Sequence, residues 1–273
     1  MTESRASEAV GSEVAAPRLN DAGDDSAAWP SPKYAWYVVA ILCLAYAVSF
    51  LDRQILSLLV LDVQRSLHAS DTEISLLQGL AFGLFYTLLG LPLGRLADLW
   101  NRRSLITAGI TIWSVMTALC GLAQNFLHMF LARLGVGFGE ASLSPAALSL
   151  ISDYFPPNRR AAAISTYVMG NSLGAGLALV SGGALVGAIV EWGDIRIPFY
   201  GHLEPWQTTL LLAGVPGLLI AFLMATIREP VRRGVSVKMS ARPSLRQAAV
   251  FIWARRDVYL RHNIAMAMMS LLT

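Results

Sequence analysis

The chain has 273 residues, of which 55% are apolar and only 14% charged, with a formal net charge of +3. Soluble domains carry about 25% charged residues, so this composition excludes an ordinary water-soluble globule. The small net charge gives no case for a nucleic-acid partner, and two cysteines make no disulfide framework.

Residues 1–33 are polar, with Glu3, Glu8, Glu13, Asp21, Asp24 and Asp25 among Ala and Ser. They read as a disordered tail, and no basic stretch leads into a short apolar core as a signal peptide requires. A membrane span needs about 20 mainly apolar residues. Six stretches qualify: Tyr34–Leu61, Ile74–Leu93, Ser104–Ala123, Phe126–Ser152, Ala161–Val190 and Pro205–Ile227. Residues 34–227 thus form a six-helix transmembrane bundle. Residues 228–258 read as a linker. In it Leu245, Ala248, Ala249 and Ile252 repeat at helical spacing beside Arg246, Arg255 and Arg256, the pattern of an interfacial helix over Ser244–Arg256. Residues 259–273 read as the start of a seventh span that stops with the chain, so the sequence is expected to be a fragment. Cys43 and Cys120 fall inside spans and read as small packing residues.

Lys and Arg segregate by loop. The tail, the loops after spans two and four, and the segment after span six hold nearly all of those outside the spans, while the opposite loops hold only Arg65 and Arg196. The positive-inside rule then places the N-terminus and the even-numbered loops in the cytoplasm of a cell (inner) membrane.

Four ionisable residues interrupt the spans: Asp52, Arg53, Arg133 and Glu140. Each costs roughly 2.5–3.5 kcal/mol at the bilayer centre, so residues of this kind face a bundle interior or a wet cavity and pair there. On the first span Tyr46, Ser49, Arg53 and Ser57 form a polar stripe; on the fourth, Arg133, Gly137, Glu140 and Ser144 form another. Asp52 and Arg53 point about 100° apart, so they cannot share one face. Counted at ~1.5 Å per residue from the outer ends, Asp52, Arg53 and Arg133 lie at similar depth and Glu140 near the midplane. An Arg53–Glu140 pair is expected, with Asp52 close to Arg133 or Arg53. Gly79, Gly83, Gly90 and Gly94 on span two, and Gly170, Gly174, Gly182, Gly183 and Gly187 on span five, read as close helix contacts.

Gly94-Arg-Leu-Ala-Asp98-Leu-Trp-Asn-Arg102-Arg103 follows span two. It resembles the signature loop of the major facilitator superfamily, Gly-x-x-x-Asp-(Arg/Lys)-x-Gly-Arg-Arg, with Leu99 in place of a basic residue and Asn101 in place of glycine. The run from Arg133 through Glu140 to Pro145, then Ile151-Ser-Asp153-Tyr-Phe-Pro156, together with Phe50-Leu-Asp52-Arg53, resembles the Spinster-like branch. The resemblance implies an all-α bundle of two inverted three-helix repeats, the N-terminal half of a twelve-span fold whose C-terminal six-helix half completes it. It also implies a proton-linked carrier working by alternating access on a lysolipid- or sphingolipid-like anion, or on a sugar acid or other organic anion. A truncated, non-transporting fragment is the remaining alternative. Asp52 and Glu140 would couple protons. Arg53 would bind an anionic group, with Tyr46, Ser49, Arg133 and Asn171 as further substrate contacts. Gly94, Asp98, Arg102, Arg103 and Asp153 would form a cytoplasmic gate, in which Asp153 is a candidate partner for Arg102. No cofactor, metal ligand set or enzymatic activity is expected: His68, His128, His202 and His262 lie in loops or at span ends, and no serine pairs with a histidine inside a span.

Overall fold

The computed structural model describes residues 29–192, 195–197, 201–233, 250–251 and 253–272. The polar tail and most of the expected interfacial helix lie outside them. The chain divides into two units, Ser26–Arg233 and a second made of Met1–Asp25 with Gly234–Thr273. In the second, one helix covers Arg256–Leu272, and the Arg255 and Arg256 guanidinium groups lie over the Phe251 and Trp253 rings.

The first unit holds six helices long and apolar enough to cross a membrane. Span one is α1 (Pro32–Leu58), followed by the short α2 (Val60–Ser66). Span two runs from α3 (Asp71–Ser75) through a π turn at Leu76–Leu80 into α4 (Ala81–Leu99); span three is α5 (Arg102–Cys120). Span four is broken into α6 (Phe126–Glu140) and α7 (Leu143–Tyr154). Span five is α8 (Pro157–Leu177), a π turn at Ala178–Gly182 and α9 (Gly183–Trp192). Strands β1 (Ile195–Ile197) and β2 (Gly201–Leu203) pair antiparallel before span six, α10 (Pro205–Ala225).

Local chemistry sets these boundaries. Pro32, Pro157 and Pro205 occupy the first helical turn, where a missing N–H costs nothing. Asn101 and Asn125 accept hydrogen bonds from Ser104 and His128 N–H at 2.8 and 2.9 Å, capping spans three and four. Ser70 and Glu73 form a capping box that extends span two beyond its expected start. The break in span four follows from Pro145, which offers no N–H to the Ala141 carbonyl and crowds it.

Spans one and five pack together, as do two and four, three and six, three and four, and one and six. Exchanging one with four, two with five and three with six maps this set of pairs onto itself, as inverted three-helix repeats require. Glycines make the approaches possible. A Cβ on Gly170 or Gly174 would lie 2.4 or 2.6 Å from the Cys43 or Ala47 carbonyl, and one on Gly139 would lie 2.6 Å from the Gly109 carbonyl. Gly79, Gly83 and Gly90 do not act this way: a Cβ on any of them meets nothing within 4 Å, and the same holds for Gly183 and Gly187. The regular spacing of small residues marked a helix surface without marking its neighbour.

This contrast is measurable. Gly139→Ala forces backbone against backbone and is expected to cost about 1–3 kcal/mol or more. Its unfolding midpoint in detergent should fall by several degrees, while Gly90→Ala leaves the midpoint in place. Equal midpoints for the two variants would remove the steric argument.

Candidate functional site

Two apolar clusters fill the bundle. One gathers Val38, Leu42, Ile106, Ile110, Trp113 and Ile151 towards the end where spans three and five begin; the other gathers Ile55, Leu56, Met129, Trp206 and Leu210 towards the opposite end. The polar layer falls between them. Asp52, Arg133, Glu140, Ser49 and Thr117 are all buried there.

Glu140 is the centre of the layer. Its Oε2 accepts from Ser49 Oγ at 2.7 Å and from Arg53 Nε at 2.7 Å, and Arg53 Nη2 lies 2.5 Å away. Arg53 also donates to Ser49 Oγ at 3.3 Å, one helical turn back. The expected Arg53–Glu140 pair is therefore formed, joining spans one and four. The two partners differ in burial: the Glu140 side chain is fully buried, while that of Arg53 keeps 29% exposure. Its guanidinium rests on aromatic rings, with the central carbon 4.5 Å from the Phe82 centroid and 5.3 Å from that of Tyr86. Such cation–π contacts hold a guanidinium without neutralising it.

Asp52 turns the other way, as adjacent helical positions must. Its Oδ2 accepts from Thr117 Oγ1 on span three at 3.5 Å. Arg133 approaches the residue, but its Nη1 donates to the Asp52 main-chain carbonyl at 3.5 Å, not to the carboxylate. Asp52 Oδ1, Arg133 Nε and Glu140 Oε1 are buried without a hydrogen-bond partner among the described residues.

The further contacts expected from the sequence separate into two groups. Ser49 and Tyr46 join the cluster: Ser49 as described, Tyr46 by stacking on Tyr167 with ring centroids 5.0 Å apart. Tyr167 in turn shares a hydrogen bond with Ser144 Oγ at 3.3 Å. Gly137, within the fourth-span stripe, is used for packing, as a Cβ there would lie 2.8 Å from the Phe82 carbonyl. Asn171 is half-buried on span five, and Ser57 is exposed. Phe82, Tyr86 and Tyr167 were not expected; aromatic side chains in an apolar span give no polar signal at the sequence level.

A second charged cluster closes the basic end of the bundle. Arg102, 1% exposed, pairs with Asp153 and donates from Nε to Glu229 Oε1 at 2.8 Å, and its Nη1 reaches the Ser149 carbonyl and hydroxyl at 3.1 Å. Asp153 is the partner expected from the sequence; Glu229 is an addition. Glu229 also accepts from the Arg103 N–H at 2.9 Å, placing a carboxylate at the N-terminus of span three. Arg103 donates to the Ile227 carbonyl at 3.1 Å. Gly94 faces Pro145, where a Cβ would sit at an ordinary 3.7 Å. The Asp98 carbonyl accepts from Arg232.

The comparisons agree with this architecture. Residues 42–273 match the Major Facilitator Superfamily profile. The chain is 28% identical over 196 residues to an MFS-type efflux pump of Mycolicibacterium smegmatis, covering 72% of this chain and 42% of that protein. It is 29% identical over 181 residues to a probable L-galactonate transporter of Escherichia coli, covering 66% and 36%. A crystal structure of a bacterial homolog of the human lysosomal transporter Spinster, inward-facing and occupied, superposes with a TM-score of 0.70 at 36% identity, covering 78% of this chain and 49% of that one. The chain thus spans less than half the length of these relatives. Their family is one of transporters and not of enzymes. The six spans, their inverted pairing and the family match together show that this chain belongs to the major facilitator superfamily, in the resemblance of its Spinster-like branch.

Proposed function

We propose that the chain is the N-terminal half of a secondary active transporter that carries an amphiphilic organic anion, of lysolipid or sphingolipid type, by proton-coupled alternating access. The observation that carries the reading is the Arg53–Glu140 pair between spans one and four, in which Glu140 is buried while the Arg53 side chain keeps 29% exposure and its guanidinium lies over the Phe82 and Tyr86 rings. Arg53 binds the anionic headgroup. Glu140, which holds Arg53 through one oxygen only, is the group whose protonation frees it for substrate. Asp52 is the second proton carrier. Tyr46, Ser49, Arg133 and Asn171 remain proposed substrate contacts; Ser49 acts by holding Glu140. The cluster around Arg102 and Asp153, with Gly94, Asp98 and Arg103, is the cytoplasmic gate of an inner-membrane protein whose N-terminus is cytoplasmic. A second six-helix bundle completes the carrier.

A sugar-acid substrate is the second reading, favoured by the likeness to the probable L-galactonate transporter. A hexonate offers a carboxylate to Arg53 and hydroxyls to Tyr46 and Tyr167, without needing an apolar wall.

The test is uptake by the full-length protein in liposomes with an imposed pH gradient, offering a radiolabelled lysophospholipid or a hexonate. Moving one charge through about 100 mV is worth about 2.3 kcal/mol, a roughly fifty-fold gradient. Accumulation is expected to collapse when a protonophore dissipates the gradient. Uptake indifferent to pH would overturn the proton coupling, and hexonate uptake without lysolipid uptake would select the second reading.

A further inference from the structure

After span six the chain leaves helical geometry at Thr226 and crosses the basic end of the bundle as a strap, residues 227–233. The strap is tied at several points. Arg228 donates its N–H to Tyr34 Oη at 2.9 Å and accepts at its carbonyl from Tyr154 Oη. Glu229 holds the start of span three, and the Arg233 N–H donates to Asp153 Oδ1 at 2.9 Å. These contacts involve spans one, three and four, which are well packed in any case.

Span two is different. It is the least buried of the six, and its last turn ends at Leu99, so the carbonyls of that turn have no further helical N–H to accept. Arg232 meets them. Its Nη2 donates to the Ala97 carbonyl at 2.9 Å and to that of Trp100, and its Nη1 donates to that of Asp98. A planar guanidinium with several fixed donors suits such a fork, and a cation is favoured at the negative end of a helix. These three carbonyls belong to the signature loop or adjoin it.

We propose that Arg232 is a positioning residue for this loop: by capping span two it ties the end of the span least buried within this chain to the strap, and so fixes where Gly94 to Arg103 stand relative to the Arg102–Asp153–Glu229 cluster. A sequence motif accounts for the loop's own residues, but this capping group comes from more than 130 positions later, as the Asp98–Arg232 separation of 134 shows. The gating role of the loop rests on the transport reading above; the capping role does not.

The experiment therefore reads geometry, with no substrate present. In the full-length protein in lipid, with Cys43 and Cys120 changed to alanine, spin labels are placed at Leu99 and Asn158, and in a second sample at Leu61 and Leu127 at the opposite end. Arg232→Ala is expected to convert a narrow Leu99–Asn158 distance distribution into a broad one shifted to longer distance. Arg232→Lys, a point charge without the fork, is expected to broaden it as well. The Leu61–Leu127 distribution stays unchanged in both. A narrow Leu99–Asn158 distribution in either variant overturns the proposal, and so does broadening at both ends, which would mean general loosening. A protein that moves no tested substrate still gives this result, so the two readings fail separately.

Discussion

Glu140→Gln is expected to abolish transport while leaving the chain inserted and folded. Glutamine keeps the shape of the side chain and can still accept from Ser49, but it removes the charge that holds Arg53 through Nε and Nη2. Hydrogen bonds to charged groups contribute about 1.5–3 kcal/mol each, so losing their ionic character corresponds to a roughly ten- to hundred-fold change in an equilibrium between arrangements of the site. The fold tolerates this because Arg53 is not stranded: its side chain is 29% exposed and its guanidinium lies over the Phe82 and Tyr86 rings. Initial uptake rates with reconstituted full-length protein, beside its elution profile in detergent, check both halves of the statement. A wild-type uptake rate would remove Glu140 from the coupling mechanism.

Arg102→Gln acts in the opposite sense, on stability. The guanidinium is 1% exposed and faces two carboxylates, so its removal takes the shared cation away from both Asp153 and Glu229. Breaking a buried pair from one side costs about 3–5 kcal/mol. The exposed Arg65–Asp62 pair, with side chains 77% and 53% exposed, is the natural comparison, and Arg65→Gln is expected to change little. Thermal unfolding of the purified protein should show a large fall for Arg102→Gln, partly recovered in the double variant with Asp153→Asn. A stable single variant, or no recovery in the double, would mean that the cluster is not held by this charge balance.

The spans were legible because a bilayer demands long apolar runs, and the Arg53–Glu140 pair because helical spacing put both residues on polar stripes. What spacing does not contain is the identity of the facing helix. Asp52 was expected close to Arg133 or Arg53, and Arg133 does approach it, but at the main-chain carbonyl, while the carboxylate meets Thr117 on span three. Span two was read as a packing surface from its glycines; within this chain its contribution to the site is Phe82 and Tyr86, and its glycines at 79, 83 and 90 meet no neighbouring span. Glu229 and Arg232 escaped because they follow the last span, where no periodicity constrains a residue. Arg102–Asp153 was found because a loop motif and a span end flanked the same region.

The interruption of span four at Ala141–Ser142 has a mechanical consequence. Glu140 ends the first segment and Asp153 rides on the second, so the two ionic centres stand on separate helical segments. The joint itself is seated: Ser142 Oγ donates to the Gly139 carbonyl at 2.8 Å, and Gly139 abuts Gly109 on span three. A joint fixed against its neighbour is a fulcrum. A bend at this joint therefore bears on span three at Gly109 as well as on the second segment of span four.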